Sequence, residues 1–371
     1  MTRMRIATGI DIPMAPSCGS MILCGDVYGL LREQAHTTFF SLPPADESWD
    51  HGYESVRLLT TPKRPYGDYF ADYADKLTTE LEPYLRDVRP DLIHAQHLGF
   101  GLSLAFSRLR GDIPMISFGH GTDVIAAQGS DQALDAMRQI VAASLAVIVP
   151  AESMREKVDR LTDRRYTSRL RVIPWGIALA GAKANYEAGP RGPLSLLQAG
   201  RLDTNKSTIT AIESLALTSE RHRLTIAGGG DTLPALRETT NELGLADRVT
   251  FLPFLPQREL WAMFADFDAF VFTTRELEAF GLVCVEAQAH GLPIIFSSVE
   301  GAVDVLGTSG LSFPPGDPVA LARCIDQFAA DLDLRRALSA RAVKNAERYS
   351  VANTAAAILK VSELGMRGTH G

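Results

Sequence analysis

The chain has 371 residues, a formal net charge of −7, 46% hydrophobic and 22% charged residues. At roughly 100–200 residues per domain this length predicts two domains, and the composition is that of an ordinary globular protein. The acidic balance argues against a nucleic-acid binder, which needs a basic face, and no apolar run approaches the ~20 residues that would insert in a bilayer.

Taken in order, the chain alternates short apolar runs with longer amphipathic stretches. It enters a first strand at 4–8 with no apolar signal segment or cleavage site. Cys18, Cys24, Cys284 and Cys324 show no CxxC spacing; they predict neither a zinc site nor a disulfide framework, and a reducing cytoplasm fits. Further strands are predicted at 37–42, 56–60, 92–95, 115–118, 146–150 and 170–174, with helices such as 69–87 and 132–143 between them. After a Gly- and Ala-rich stretch the pattern restarts, with strands at 194–198, 223–227, 248–252, 268–273 and 293–297. Strands alternating with helices imply parallel sheets covered on both faces. The predicted organisation is a Rossmann-like domain over 1–174, a linker over 175–192, a second Rossmann-like domain over 193–345, and a closing helical segment over 346–371. Two doubly wound α/β domains bind ligands at the carboxyl ends of their strands, which predicts a ligand cleft between them.

Glu278-Ala-Phe-Gly-Leu-Val-Cys-Val-Glu286 holds two carboxylates eight positions apart around a glycine, just after the apolar run Phe270-Val-Phe272. The order reads as strand, turn, helix. Such a turn is expected to leave the N–H groups of Phe280, Gly281 and Leu282 free as a phosphate seat. Glu278 precedes the helix, and Glu286 lies about two turns in, near the same face. Each carboxylate accepts two hydroxyl hydrogen bonds, so the pair suits a nucleotide-sugar; a solvated helix face would show the same spacing.

Leu196-Leu-Gln-Ala-Gly200-Arg201-Leu-Asp-Thr-Asn-Lys206 opens the second domain. With a strand ending at Gly200, Arg201 and Lys206 fall in the next loop and helix start. There two positive charges can neutralise a diphosphate and stabilise it as a leaving group; two solvated surface charges are the simpler alternative. Leu224-Thr-Ile-Ala-Gly228-Gly-Gly230 is a strand ending in three glycines, which permit close backbone approach. Leu233 stands where the dinucleotide fingerprint requires its third glycine, which disfavours a dinucleotide site. In the first domain, His120 lies between glycines in Ile116-Ser-Phe-Gly-His120-Gly121-Thr-Asp123, poorly placed for a core role, and no GxSxG-type nucleophile accompanies it. Gly19-Ser20 opens the first helix. Asp266-Phe-Asp268 matches a metal-binding DxD, but its position at a strand entry separates it from the phosphate seat.

Together these motifs resemble the retaining glycosyltransferases of family 4, whose signature is E-x7-E. The resemblance covers most of the chain, strongly from 194 to 318, and implies the GT-B fold. It further implies a phosphate clamp from Gly200, Arg201 and Lys206, although the glycine that follows the family lysine is Ser207 here. Glu278 would orient donor-sugar hydroxyls and Glu286 the ribose. The strand before Gly228 and Gly230 would lie beside the nucleotide, and the backbone near Pro253 would meet the base. His120 resembles the family's His-Gly-x-Asp histidine, which contacts the donor sugar. Gly19 and Ser20 stand where the family has a Gly-Gly turn facing the diphosphate. Val172-Ile-Pro174-Trp175-Gly176, His290-Gly-Leu-Pro293 and Glu300-Gly301 resemble further family segments, and 348–364 resembles the helix that returns to the first domain.

The implied reaction is metal-independent, retaining transfer from a nucleotide diphosphate sugar, a UDP-sugar by preference. The implied acceptor is a small soluble hydroxyl compound: a sugar, a cyclitol or a natural-product aglycone. No cofactor is called for, and the acceptor residues and oligomeric state stay open. Residues 63–89 carry five basic and six acidic side chains, so no polybasic membrane patch forms. The acidic loop Asp46-Glu-Ser-Trp-Asp50-His51 is a candidate receptor for a cationic aminocyclitol. Two alternatives remain: a GT-B sugar-nucleotide 2-epimerase or phosphorylase, and a sugar-nucleotide-binding protein without catalysis.

Overall fold

The computed structural model describes residues 3–15, 18–43, 53–64, 66–179, 192–219 and 221–367. The acidic loop 46–51 and most of the predicted linker therefore lie outside the described residues. The chain divides into two compact units, Met1–Gly176 with Val351–Gly371, and Ile177–Ser350.

The first unit runs β1 (Met4–Pro13), α1 (Gly19–Leu30), β2 (Ala35–Leu42), β3 (Ser55–Leu58), α2 (Phe70–Val88), β4 (Leu92–Gln96), α3 (Gly101–Leu109), β5 (Met115–Phe118), α4 (Thr122–Gly129), α5 (Asp131–Ala143), β6 (Ala146–Val149), α6 (Glu152–Leu161) and β7 (Leu170–Val172). Among the described residues its sheet has the order β3-β2-β1-β4-β5-β6-β7, and every pairing is parallel. Strands β4, β5 and β6 are buried throughout, the condition that helices on both faces impose. Strand β1 extends beyond the predicted 4–8 because β2 pairs with it as far as Pro13, across an irregularity after Ile10.

The second unit runs β8 (Ser195–Ala199), α7 (Thr208–Leu217), β9 (Arg223–Ala227), α8 (Leu233–Glu242), β10 (Val249–Leu252), α9 (Gln257–Met263), β11 (Ala269–Phe272), α10 (Leu282–Ala289), β12 (Ile294–Ser297), α11 (Glu300–Leu306), β13 (Leu311–Phe313), α12 (Pro318–Ala330) and α13 (Leu332–Ala346). Its parallel sheet has the order β10-β9-β8-β11-β12-β13 among the described residues. Leu196, Leu224, Ile226, Val271, Ile295, Ile212 and Phe328 are core members. Asp317 and Asp331 cap α12 and α13, accepting from Ala320 N and Leu334 N at 2.9 Å each, as short acidic side chains do at helix starts.

The last helix, α14 (Val351–Arg367), belongs to the first unit. It buries Val351, Thr354, Ala355, Ile358 and Ser362, and Thr354 donates to Pro174 O at 2.8 Å. No described helix is long and apolar enough to cross a membrane. In each sheet the strand order reverses at one place, between β1 and β4 and between β8 and β11. Loops leaving adjacent strands diverge there and open a crevice for ligands.

Candidate active site

In the second unit, Lys206 and Glu278 come from the two loops that flank the switch point, after β8 and after β11. The Lys206 Nζ–Glu278 Oε2 distance is 2.5 Å, with Glu278 mostly covered and Lys206 about a quarter exposed. The Lys206 backbone is held by both loops. Asp203 accepts Lys206 N at 2.9 Å, and Thr273 donates to Lys206 O at 2.7 Å. Asn205 ties the two loops together: its Nδ2 donates to Leu277 O at 3.0 Å and its Oδ1 accepts Glu276 N at 3.0 Å. Ser207 has a φ of +46°, a left-handed conformation that costs an L-residue roughly 1–2 kcal/mol, which accounts for a glycine at that place in the resembled motif.

The expected open phosphate seat is corrected. Gly281 N and Phe280 N are not free; they donate to Glu278 Oε1 at 3.1 and 3.4 Å. Gly281, at φ +77°, turns the chain so that the Glu278 side chain folds back over the start of α10. A carboxylate at a helix N-terminus satisfies the unpaired N–H groups and is stabilised by the helix dipole. Burial by itself raises the Glu278 pKa, but Lys206 and the two N–H groups outweigh it, and the value lies below the ordinary 4.5. Glu278 is thus a carboxylate at neutral pH, fitted to accept hydroxyls.

Glu286 is 8% exposed on α10. Its Oε1 accepts Gln257 Nε2 at 2.6 Å, a contact that no motif pointed to. Leu282 opens α10, and Phe280 is buried edge-on against Tyr349, with ring centroids 5.1 Å apart. Arg201 does not join the Lys206–Glu278 pair. It is exposed and meets Asp203 Oδ2 at 3.5 Å, while the other oxygen of Asp203 accepts Lys206 N. Gly228 and Gly230 also have a packing role. A Cβ on Gly228 would stand 1.9 Å from Gly200 O, and one on Gly230 2.2 Å from Leu202 O. Pro253 is exposed after β10. Sequence reasoning gave Gly301 no role, yet a Cβ there would lie 1.8 Å from Glu278 O; the start of α11 presses directly on the Glu278 backbone. Asp268 is engaged structurally, accepting Ser195 N at 2.8 Å and pairing with the buried Arg335.

In the first unit, His120 follows β5 and packs between the His97 ring, at 4.3 Å, and the Trp175 ring, at 5.5 Å. Asp123, fully buried, accepts Gly121 N at 2.7 Å, His120 N at 3.2 Å and Leu98 N at 2.6 Å, which fixes the loops after β4 and β5. Burial and the neighbouring His97 hold the His120 pKa well below 6.5, with Asp123 acting in the opposite sense. Gly19 and Ser20 form the first turn of α1, after the N-cap Cys18, which makes no side-chain cap.

Residues 187–345 match the family described as glycosyl transferases group 1, and residues 28–180 match glycosyltransferase family 4. The D-inositol 3-phosphate glycosyltransferase of Nocardia farcinica is 28% identical over 309 residues, 76% of this chain and 68% of the relative. A glycogen synthase of Mycobacterium tuberculosis is 28% identical over 358 residues, 88% and 85% of the two chains. Among solved structures, Anabaena HepE in complex with UDP and glucose superposes with a TM-score of 0.80 at 18% identity, covering 97% of this chain and 100% of that one. The fold with its two parallel sheets is GT-B, and the protein is a glycosyltransferase. It belongs to the family 4 type, with a group 1 domain as its second unit.

Proposed function

We propose that the protein transfers a sugar, with retention of anomeric configuration, from a nucleotide diphosphate sugar to a hydroxyl of a small soluble acceptor. The donor is a UDP-sugar, and the reaction needs no metal. The observation that carries this reading is the Lys206–Glu278 pair at the switch point of the second sheet. Lys206 would turn to the diphosphate and stabilise the charge that develops as it leaves. Glu278, kept ionised, would accept hydroxyls of the donor sugar, and Glu286 those of the ribose. His120 would contact the donor sugar from the first unit. With no protein base assigned, the leaving phosphate takes the acceptor's proton on the face it departs from. A UDP complex of a structure with the same fold supports the nucleotide, and a relative named for inositol 3-phosphate supports a cyclitol among the acceptor classes.

The test begins with thermal shift against UDP-, GDP- and ADP-sugars in EDTA, followed by product analysis with sugar and cyclitol acceptors. Stabilisation by UDP-sugars alone, and an α-linked product from an α-linked donor, are the expected results. Lys206→Ala and Glu278→Ala should each lower turnover by about 100-fold or more, the scale of losing one preorganised electrostatic contact to a transition state, with cooperative unfolding retained. Full activity in either variant removes the site assignment. A sugar changed at C2 with no acceptor present would replace the transferase reading with an epimerase.

A further inference from the structure

The His120 ring terminates a chain of buried hydrogen bonds that begins on α14. Ser362 Oγ donates to Ile358 O at 2.8 Å and lies 3.0 Å from His94 Nε2. His94 Nδ1 is 2.9 Å from Tyr28 Oη. Gln96 Nε2 reaches Tyr28 Oη at 2.9 Å and Thr8 Oγ1 at 3.2 Å, and Thr8 Oγ1 donates to His94 O at 2.8 Å. Gln96 Oε1 then stands 2.8 Å from His120 Nε2. Thr8, His94, Gln96 and Ser362 are at most 2% exposed and Tyr28 is 5% exposed.

The direction of every proton in this chain follows from its two carbonyl ends, which can only accept. Ser362 spends its proton on Ile358 O, so His94 Nε2 must donate to Ser362. His94 Nδ1 is then bare and takes the Tyr28 proton, and Thr8 spends its own on His94 O. Tyr28 and Thr8 can therefore only accept from Gln96, whose amide nitrogen must face both of them. Its oxygen must face His120, and His120 must carry its proton on Nε2. Tyr28 Oη also lies 3.3 Å from Thr8 Oγ1, so turning His94 over forfeits the Ser362 bond to Ile358 O, and turning the Gln96 amide over forfeits the Thr8 bond to His94 O, in a buried region where each lost bond costs about 1–3 kcal/mol. His94, pushed down to about 3 by burial, stays neutral and keeps one donor and one acceptor.

We propose that Gln96 is a positioning residue that holds the His120 proton on Nε2 and so leaves Nδ1 as the hydrogen-bond acceptor of the neutral ring. His120 therefore takes a hydrogen bond from a sugar hydroxyl and does not donate one to a developing negative charge. This deepens the transferase reading and depends on it only for the consequence in turnover. The other titratable groups around His120 are His97, stacked on its face, Asp123, bound to its backbone, and Lys63, beyond His97 on the Phe100 ring. Burial and His97 disfavour a charge on His120, whereas Asp123 favours one; Lys63 acts on His97, whose own charge it disfavours.

The test uses the full chain with 15N-labelled histidines. Long-range proton–nitrogen correlation spectra distinguish the two neutral tautomers and the imidazolium, and the His120 signals are those missing in His120→Gln. The expected spectrum is the Nε2–H tautomer alone, with no titration around pH 6.5. Gln96→Leu should release it to a mixture of tautomers. Gln96→Glu, which keeps the size and should fold even where the leucine does not, places a carboxylate against Nε2 and should bring a His120 titration into view at or above pH 6.5. In turnover, Gln96→Leu should lower kcat by about 10- to 100-fold, as loss of an orienting partner does, with the donor KM little changed. An Nδ1–H form or a tautomer mixture in the unmodified protein overturns the proposal. So does a His120 spectrum that Gln96 substitution leaves unchanged, or a Gln96→Leu enzyme with the original kcat. Absence of any transferase activity in the unmodified protein would remove the reading of function, while the spectra would still decide the tautomer.

Discussion

Glu278 is the residue on which charge, backbone and partner converge. Its carboxylate is held by Lys206 on one oxygen and by Gly281 N and Phe280 N on the other. Because its native pKa is depressed below 4.5, ionised Glu278 adds stability that is fully present above pH 4.5. That contribution is lost as pH falls through the lower native value. The melting temperature of Glu278→Gln should therefore lie below that of the unmodified protein at pH 7, and the gap should narrow steadily from pH 4.5 downward. A constant gap across that range would show that the carboxylate charge contributes nothing. The E-x7-E spacing marked both glutamates in the sequence. The partners did not show: Lys206 lies 72 positions from Glu278, and Gln257 reaches Glu286 from 29 positions away. Arg201, five residues before Lys206, is exposed and meets Asp203 at 3.5 Å, a neighbour that the motif did not show.

At the level of elements, the site is a property of packing between consecutive β-loop-α units. Helix α11 begins where Gly301 meets the carbonyl of Glu278, and only a hydrogen fits in that space. Gly301→Ala forces a Cβ to a point 1.8 Å from Glu278 O, so either α11 or the Glu278 loop must move by an ångström or more. A displacement of that size at a reacting centre costs about 100-fold in rate. The expected result is a turnover loss of that order with a lowered melting temperature, measured side by side with Gly29→Ala on α1, whose Cβ meets nothing within 4 Å and which should stay near the unmodified rate. Most elements were legible from alternation and apolar runs, because period and length are local properties. Strand β13 was not: Leu311-Ser-Phe313 is too short to carry a period, and its pairing with β12 from Ile295 to Ser297 makes it a strand.

On the scale of the whole molecule, the second unit is a continuous stretch, 177–350, inserted between two parts of the first. Helix α14 completes the first unit, placing Ala355 and Ile358 in its interior and Ser362 against His94. Each fully buried aliphatic side chain contributes about 1.5–3 kcal/mol, a large share of the 5–15 kcal/mol that stabilises a domain. A chain ended at residue 350 should therefore lose cooperative unfolding of the first unit. Segment 177–350 produced alone should remain folded and keep its stabilisation by UDP-sugars. Circular dichroism melts of the two truncated chains check this, and a fully cooperative first unit without α14 would contradict it.

The sequence by itself determined the class of the fold and the neighbourhoods of the chemistry. Strand-helix alternation, glycines at strand ends and paired carboxylates are written within a few residues of one another, and the family resemblance joins them in order. Only the tertiary structure decided which groups meet. The strand order puts the loops after β8 and β11 side by side, so Lys206 finds Glu278. The return of α14 sets Ser362 against His94, 268 positions away, and starts the proton order that ends at His120. Periodicity records the direction in which a side chain points from its own element. It carries no information about what the neighbouring element brings to the same place, because that depends on the order of strands across the sheet.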